Sequence, residues 1–269
     1  MNIILDSLLL IKWGLFSGIF LAISISFTSP FLILKRDALF PHALTHIYFL
    51  AIILASLISK FLPPFLDFPV VVIFTLIITS LIWVLRKYSK FYEDTTTSII
   101  SCFAMGLALI IASKTSQYDS RLFSYLFGSL VGITKKDFYE SLIVFVFSIF
   151  LFYKFYPLWI LQTTDKEIPG IDFKTSNLIF LILITLQIVI GVKLMGILLI
   201  SALFIFSSSL ALCIGRTLKS LIPIISLLNI LGILGGTIFS IIWDIPFSSA
   251  VVIFMSLYPS LQLIWRILS

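Results

Sequence analysis

The sequence predicts an all-α protein, a polytopic transmembrane helical bundle of about eight to nine spans folded as a single domain over residues 1–269. Composition is the first sign: 60% of the residues are hydrophobic, only 11% are charged, and mean hydropathy is +1.19, far from a soluble domain of this size. Spacing is the second, because apolar stretches of roughly 20 residues, the length that crosses a hydrocarbon core, recur between short polar breaks. The third is continuity. Segments such as Val70 to Leu85 are apolar without interruption, whereas a membrane β-strand alternates, and a helix satisfies its own backbone in lipid.

Spans are expected at about 13–34, 40–60, 68–86, 97–113, 137–156, 177–192, 194–214, 219–240 and 246–265. The first, Trp13 to Leu34, lacks the charged start and cleavage site of a secretory signal and reads as retained. Glu93-Asp94 precedes the fourth, where carboxylates suit the helix N-terminus. Leu122 to Thr134, LFSYLFGSLVGIT, is too short and too rich in Gly and Ser for a span and reads as re-entrant or interfacial. Pro169-Gly170 breaks the polar connection from residue 161 to 176, which places a cytoplasmic loop before the sixth span. Asp244 is expected to N-cap the last span, with Pro246 following. Glycines at 191, 196, 232, 235 and 236 permit close helix approach.

Lys and Arg fall singly or in pairs at the ends of apolar runs, as membrane anchors do, so the net charge of +6 points to a bilayer and not to nucleic acid. With the N-terminus outside, Lys35, Arg36, Arg86, Lys87, Lys90, Lys154, Lys166, Lys174, Arg216, Lys219 and Arg266 fall inside, leaving seven cations outside. The inside excess supports that orientation. It depends on residues 122–134 not crossing; a crossing there would reverse everything downstream.

The two cysteines, Cys102 and Cys213, lie within apolar runs and offer no disulfide framework. Both histidines of the chain, His42 and His46, stand in FPHALTHIYF. Four residues apart on a helix, they share a face and can meet one metal ion from the same side. Interfacial polar residues, or partners in a bundle hydrogen bond, would account for them equally well. Imidazoles suit zinc, a tetrahedral site would need further ligands, and polar groups at membrane depth tend to be functional. Cys102 is a candidate for the same ion, although a buried thiol is more often packing. No HExxH, GxSxG or phosphate-binding GxxxxGK[ST] occurs, so neither catalysis nor nucleotide binding is expected of this chain.

Several segments in order resemble the permeases of the ABC zinc/manganese/iron uptake family. LKRDALFPHALTHIYF is similar to the family's basic pair and GDALSHA-like run, with Pro41, His42, Thr45 and His46 at its glycine, aspartate, serine and histidine. EDTTTSII, SYLFGSLVGITKKDF, IGVKLMGILLISALFIFSSSLA and GGTIFSIIWDIPFSSAVVIF resemble four further family blocks. This chain departs from the pattern at His42, which replaces aspartate, at Ser207, which replaces proline, and at Ser248, which replaces glycine.

The resemblance implies a multi-pass permease of the bacterial inner membrane, with His42, His46 and Cys102 as ligands of a travelling divalent metal. Zinc comes before manganese or iron, because the aspartate has become an imidazole. It further implies a homodimer of permease chains, separate cytosolic ATPase subunits and a periplasmic metal-binding protein, with no permanently bound cofactor. Glu167, Pro169, Gly170 and Ile171 would form the contact with the ATPase. An iron-chelate permease and an ion-coupled secondary transporter are the alternatives; a membrane-embedded enzyme would lack a base for its nucleophiles.

Overall fold

A computed structural model describes residues 11–58, 67–88, 91–114, 126–128, 132–164, 173–215 and 217–268, with side chains described except at 67, 87 and 261–268. The helices are α1 Lys12–Ser26, α2 Ser29–Leu34, α3 Phe40–Ile58, α4 Asp67–Tyr88, α5 Glu93–Lys114, α6 Lys135–Thr164, α7 Lys174–Met195, α8 Ile197–Ile214, α9 Leu218–Trp243 and α10 Phe247–Leu268. There is no strand among the described residues. Eight helical stretches, the first running through α1 and α2, are long and apolar enough to cross a membrane. At 22 residues, α10 rises about 33 Å and supplies the length for a ninth.

Buried helices are distinguished from peripheral ones. In α7, 72% of the apolar stretch is buried and in α3 67%, against 17% for α4 and 22% for α6. The packing pairs are α3 with α5 and α4, α1 with α6 and α9, and α8 and α9 with α10. Lipid tails are as apolar as leucine, so these helices associate through close packing and internal hydrogen bonds. Gln187 of α7 carries much of the polar part. It donates to the Ser24 carbonyl at 2.9 Å and accepts from Thr28 Oγ1 at 2.7 Å, while Ser24 donates to Ser148 at 2.7 Å. Each such bond contributes on the order of 0.6 kcal/mol. The break between α1 and α2 lies within this network, and Ser26 and Ser29 meet Ser226 and Ser208 across it.

α1 and α6 run parallel through the bilayer in a constant register. Trp13 meets Phe138, Phe20 meets Phe145, Ser24 meets Ser148, Phe27 meets Phe152 and Phe31 meets Tyr156. The two helices therefore start on the same side, which requires an odd number of crossings from the end of the first to the start of the second, and α3, α4 and α5 supply three. At the end where both helices start, Lys193 of α7 is 2.6 Å from Asp137 and 2.7 Å from Glu140 of α6. There too Gly128 and Gly196 meet backbone to backbone. Both have positive φ, at 65° and 84°, and a Cβ on Gly128 would lie 2.4 Å from the Met195 carbonyl.

Asp244 corrects one expectation. It does not N-cap the last helix but ends α9 as its C-cap, in the left-handed region at φ 49°. Aspartate tolerates that conformation better than most residues. Pro246 takes the first position before α10, its carbonyl accepting the Ala250 N–H at 3.0 Å. Ser207 lies within an unbroken α8, as expected where a proline is missing. Residues Glu167, Pro169, Gly170 and Ile171 lie outside the described residues.

Candidate functional site

The chain turns sharply between α2 and α3, with Arg36 at φ 59°, and α3 then starts with Phe40 and Pro41. A proline in the first turn costs no hydrogen bond, because the N–H groups there have no partner within the helix. One turn on, Thr45 donates to the His42 carbonyl at 2.7 Å. The imidazoles of His42 and His46 then lie one above the other, centroids 4.5 Å apart and planes at 60°. His42 is exposed on the single chain and His46 half-buried.

His46 is fixed from the side by α5. Its Nδ1 lies 2.8 Å from Ser101 Oγ, and Ser101 is buried. The face of α5 that meets α3 is made of Thr97, Ser101, Ala104, Ala108 and Ala112, all buried and spaced three or four apart. Small residues at that spacing let two helix backbones approach closely. Cys102 is one residue further on, about 100° around the helix, and is exposed. The structure thus brings His42 and His46 together and puts Ser101, not Cys102, against them. Among the described residues no three of His, Cys, Asp and Glu form a metal-binding group.

Ser101 escaped the sequence reading. The alternation of small residues from Thr97 to Ala112 is the signal that orients α5 toward α3, and the fourth span was read without it.

Beneath the histidines, on the side that the cation bias assigns to the cytoplasm, the start of α3 is clamped. Arg86 at the end of α4 holds Asp37 through two hydrogen bonds, 2.9 and 2.8 Å, and donates through Nε to Thr97 Oγ1 at 2.8 Å. Its guanidinium also lies 4.7 Å from the Phe40 ring centroid, in cation–π range. Lys35 donates to Gln162 Oε1 at 2.7 Å. A cavity of about 320 Å³ opens here, lined by Lys35, Asp37, Arg86, Glu93, Gln162 and Asn177 among others.

Chemically, the histidine pair places two imidazoles, a donor type that suits a borderline cation such as zinc, on one helix face, within a membrane-spanning segment where polar groups are expensive. Two such nitrogens on one chain fall short of the four donors of a closed tetrahedral cage.

Comparison with known proteins agrees with this architecture. The chain is 29% identical over 248 residues to the high-affinity zinc uptake system membrane protein ZnuB of Haemophilus influenzae, covering 89% of this chain and 91% of that one. It is 24% identical over 232 residues to the manganese transport system membrane protein MntC of Halalkalibacterium halodurans, covering 84% and 77%. Its fold is similar to that of PsaBC from Streptococcus pneumoniae, solved in complex with Fab, at a TM-score of 0.82, 20% identity and coverage of 95% and 92%. An inward-facing putative metal-chelate type ABC transporter superposes at 0.71 with 14% identity, covering 90% and 82%. The ABC 3 transport family matches residues 7–265, nearly the whole length, and the chain belongs to it.

Proposed function

We propose that this chain is the membrane-spanning permease subunit of an ATP-driven importer that carries a divalent metal, zinc before manganese or iron, across the bacterial inner membrane. Membership of the family supports transport as the role, and the zinc- and manganese-transport relatives support the cargo. The observation that carries the assignment is the facing pair His42 and His46 on α3. With no carboxylate in the pair, the donor set is softer and favours zinc.

In this reading the chain acts as a homodimer with cytosolic ATPase subunits and receives its ion from a periplasmic metal-binding protein. His42, exposed on the single chain, would lie on the path between the two copies. ATP-driven movement of the two copies would then open the site to one side at a time. The loop holding Glu167, Pro169, Gly170 and Ile171 is the proposed ATPase contact, and Cys102, exposed and off the α3 contact, is left out of the proposed ligand set.

The test is radioactive zinc uptake by cells in which this chain is the only permease of its kind. Substituting His46→Ala should abolish uptake while the protein still reaches the membrane in normal amount. Undiminished uptake would remove the metal site from α3.

A further inference from the structure

We infer that Ser101 is a positioning residue for the ion: its hydroxyl accepts the Nδ1 proton of His46 and so holds the imidazole in the tautomer whose Nε2 lone pair faces away from α5, open to metal. This deepens the proposal above and rests on His46 being a ligand.

Nδ1 is occupied by the contact with α5. It lies 2.8 Å from Ser101 Oγ, against a helix face packed closely enough that Ala104, Ala108 and Ala112 are fully buried. No ion fits between ring and helix at that distance. A neutral imidazole binds a metal through one nitrogen only while the other carries the proton, and the hydrogen bond of the second nitrogen decides which is which. With Nδ1 against Ser101, Nε2 is the nitrogen left for the ion. Metal-bound histidines regularly donate their remaining N–H to an oxygen in this way.

Some hydroxyls on spanning helices cross to another helix, as Ser24 does to Ser148 and Ser208 to Ser29, while others bond the carbonyl three or four residues back in their own helix, as Thr75 does to Val71, Thr79 to Thr75, Thr97 to Glu93 and Ser113 to Ile110. Such back-bonding is the usual fate of serine in a helix. Ser101 instead reaches across to α3. The sequence reading had assigned the α5 contribution to Cys102, one residue and about 100° away.

The test exploits the fact that the chain contains only two histidines. The full-length protein, labelled with 15N-histidine and reconstituted in lipid nanodiscs, should give one His46 signal set with the proton on Nδ1, the opposite of the form that free histidine prefers in water. Ser101→Ala should shift that signal toward the Nε2-protonated form and weaken Zn2+ binding, measured by competition with a chelating dye, by about tenfold or more, the usual cost of losing such a support. Alanine already occupies three further positions on this stripe, so the variant packs. Ser101→Thr keeps the hydroxyl and should restore both readouts, threonine being present one turn earlier at Thr97. If Ser101→Ala matches the parent in tautomer and affinity while His46→Ala no longer binds Zn2+, the positioning role is wrong and the ligand assignment stands. If His46→Ala binds Zn2+ like the parent, the ligand assignment itself fails.

Discussion

Arg86 and Asp37 are joined by two parallel hydrogen bonds, 2.8 and 2.9 Å long, with only 12% and 18% of their side chains exposed. Asp37 stands five residues before His42, in the turn that launches α3, so the grip of α4 on this aspartate sets where the histidine-bearing helix begins. Bidentate Arg–carboxylate pairs combine energy with fixed geometry, and Thr97 and Phe40 complete the surroundings of the guanidinium.

Removing one partner of a pair this enclosed leaves a charge without compensation, which costs about 3–5 kcal/mol when burial is full and somewhat less here. Arg86→Ala is therefore expected to lower the thermal unfolding midpoint of the detergent-purified protein clearly, and to reduce zinc uptake along with it. Arg86→Lys keeps the charge but loses the fork and should lie in between. A midpoint unchanged in Arg86→Ala would show that the turn is set by other contacts.

Ion preference provides a second expectation. His42→Asp replaces one imidazole by a carboxylate, the harder ligand, and manganese accepts oxygen donors more readily than zinc accepts the loss of nitrogen. Paired uptake assays with labelled zinc and manganese should show the zinc-to-manganese ratio falling, with total transport retained. An unaltered ratio would mean that selectivity is decided before the ion reaches α3.

The spans were legible because each is an apolar run long enough to cross a membrane, a property that no tertiary contact has to supply. The histidine pair was legible for a related reason, since a separation of four residues places two side chains on one helix face wherever that helix is packed. Contacts between distant segments were not. Asp37 and Arg86 are 49 residues apart, and nothing local to either says that they meet. Asp244 misled because aspartate serves both ends of helices, and only its left-handed φ shows that it closes α9 and does not open α10. On α5 the choice between Ser101 and Cys102 depended on which face turns to α3, and that follows from the small residues of the whole helix, not from the chemistry of one thiol.

That last point makes Cys102 a separate test. Exposed on the chain and turned away from the α3 contact, it should contribute little to an ion held by His42 and His46. Cys102→Ala is expected to transport zinc within about twofold of the parent, while His46→Ala does not transport. A loss in Cys102→Ala as severe as in His46→Ala would bring the thiol back as a ligand, reached from outside this single chain.

Gly128 and Gly196 make the most stringent structural demand. Each occupies positive φ, and a methyl group on either would run into the backbone of the other segment, at 2.4 Å from Met195 for Gly128 and 2.5 Å from the Gly128 nitrogen for Gly196. Backbone cannot retreat as a flexible side chain does, so the left-handed strain, about 1 kcal/mol or more, adds to a steric clash with no local relief. Gly128→Ala and Gly196→Ala should each reduce the amount of folded protein recovered from the membrane, judged by monodisperse elution in detergent. Gly106→Ala is the matched control, because a Cβ there meets nothing within 4 Å, and it should be recovered like the parent. Equal recovery of all three would show that the segment at Gly128 does not pack against the α7–α8 junction, and with that this end of the bundle would lose its backbone-to-backbone contact.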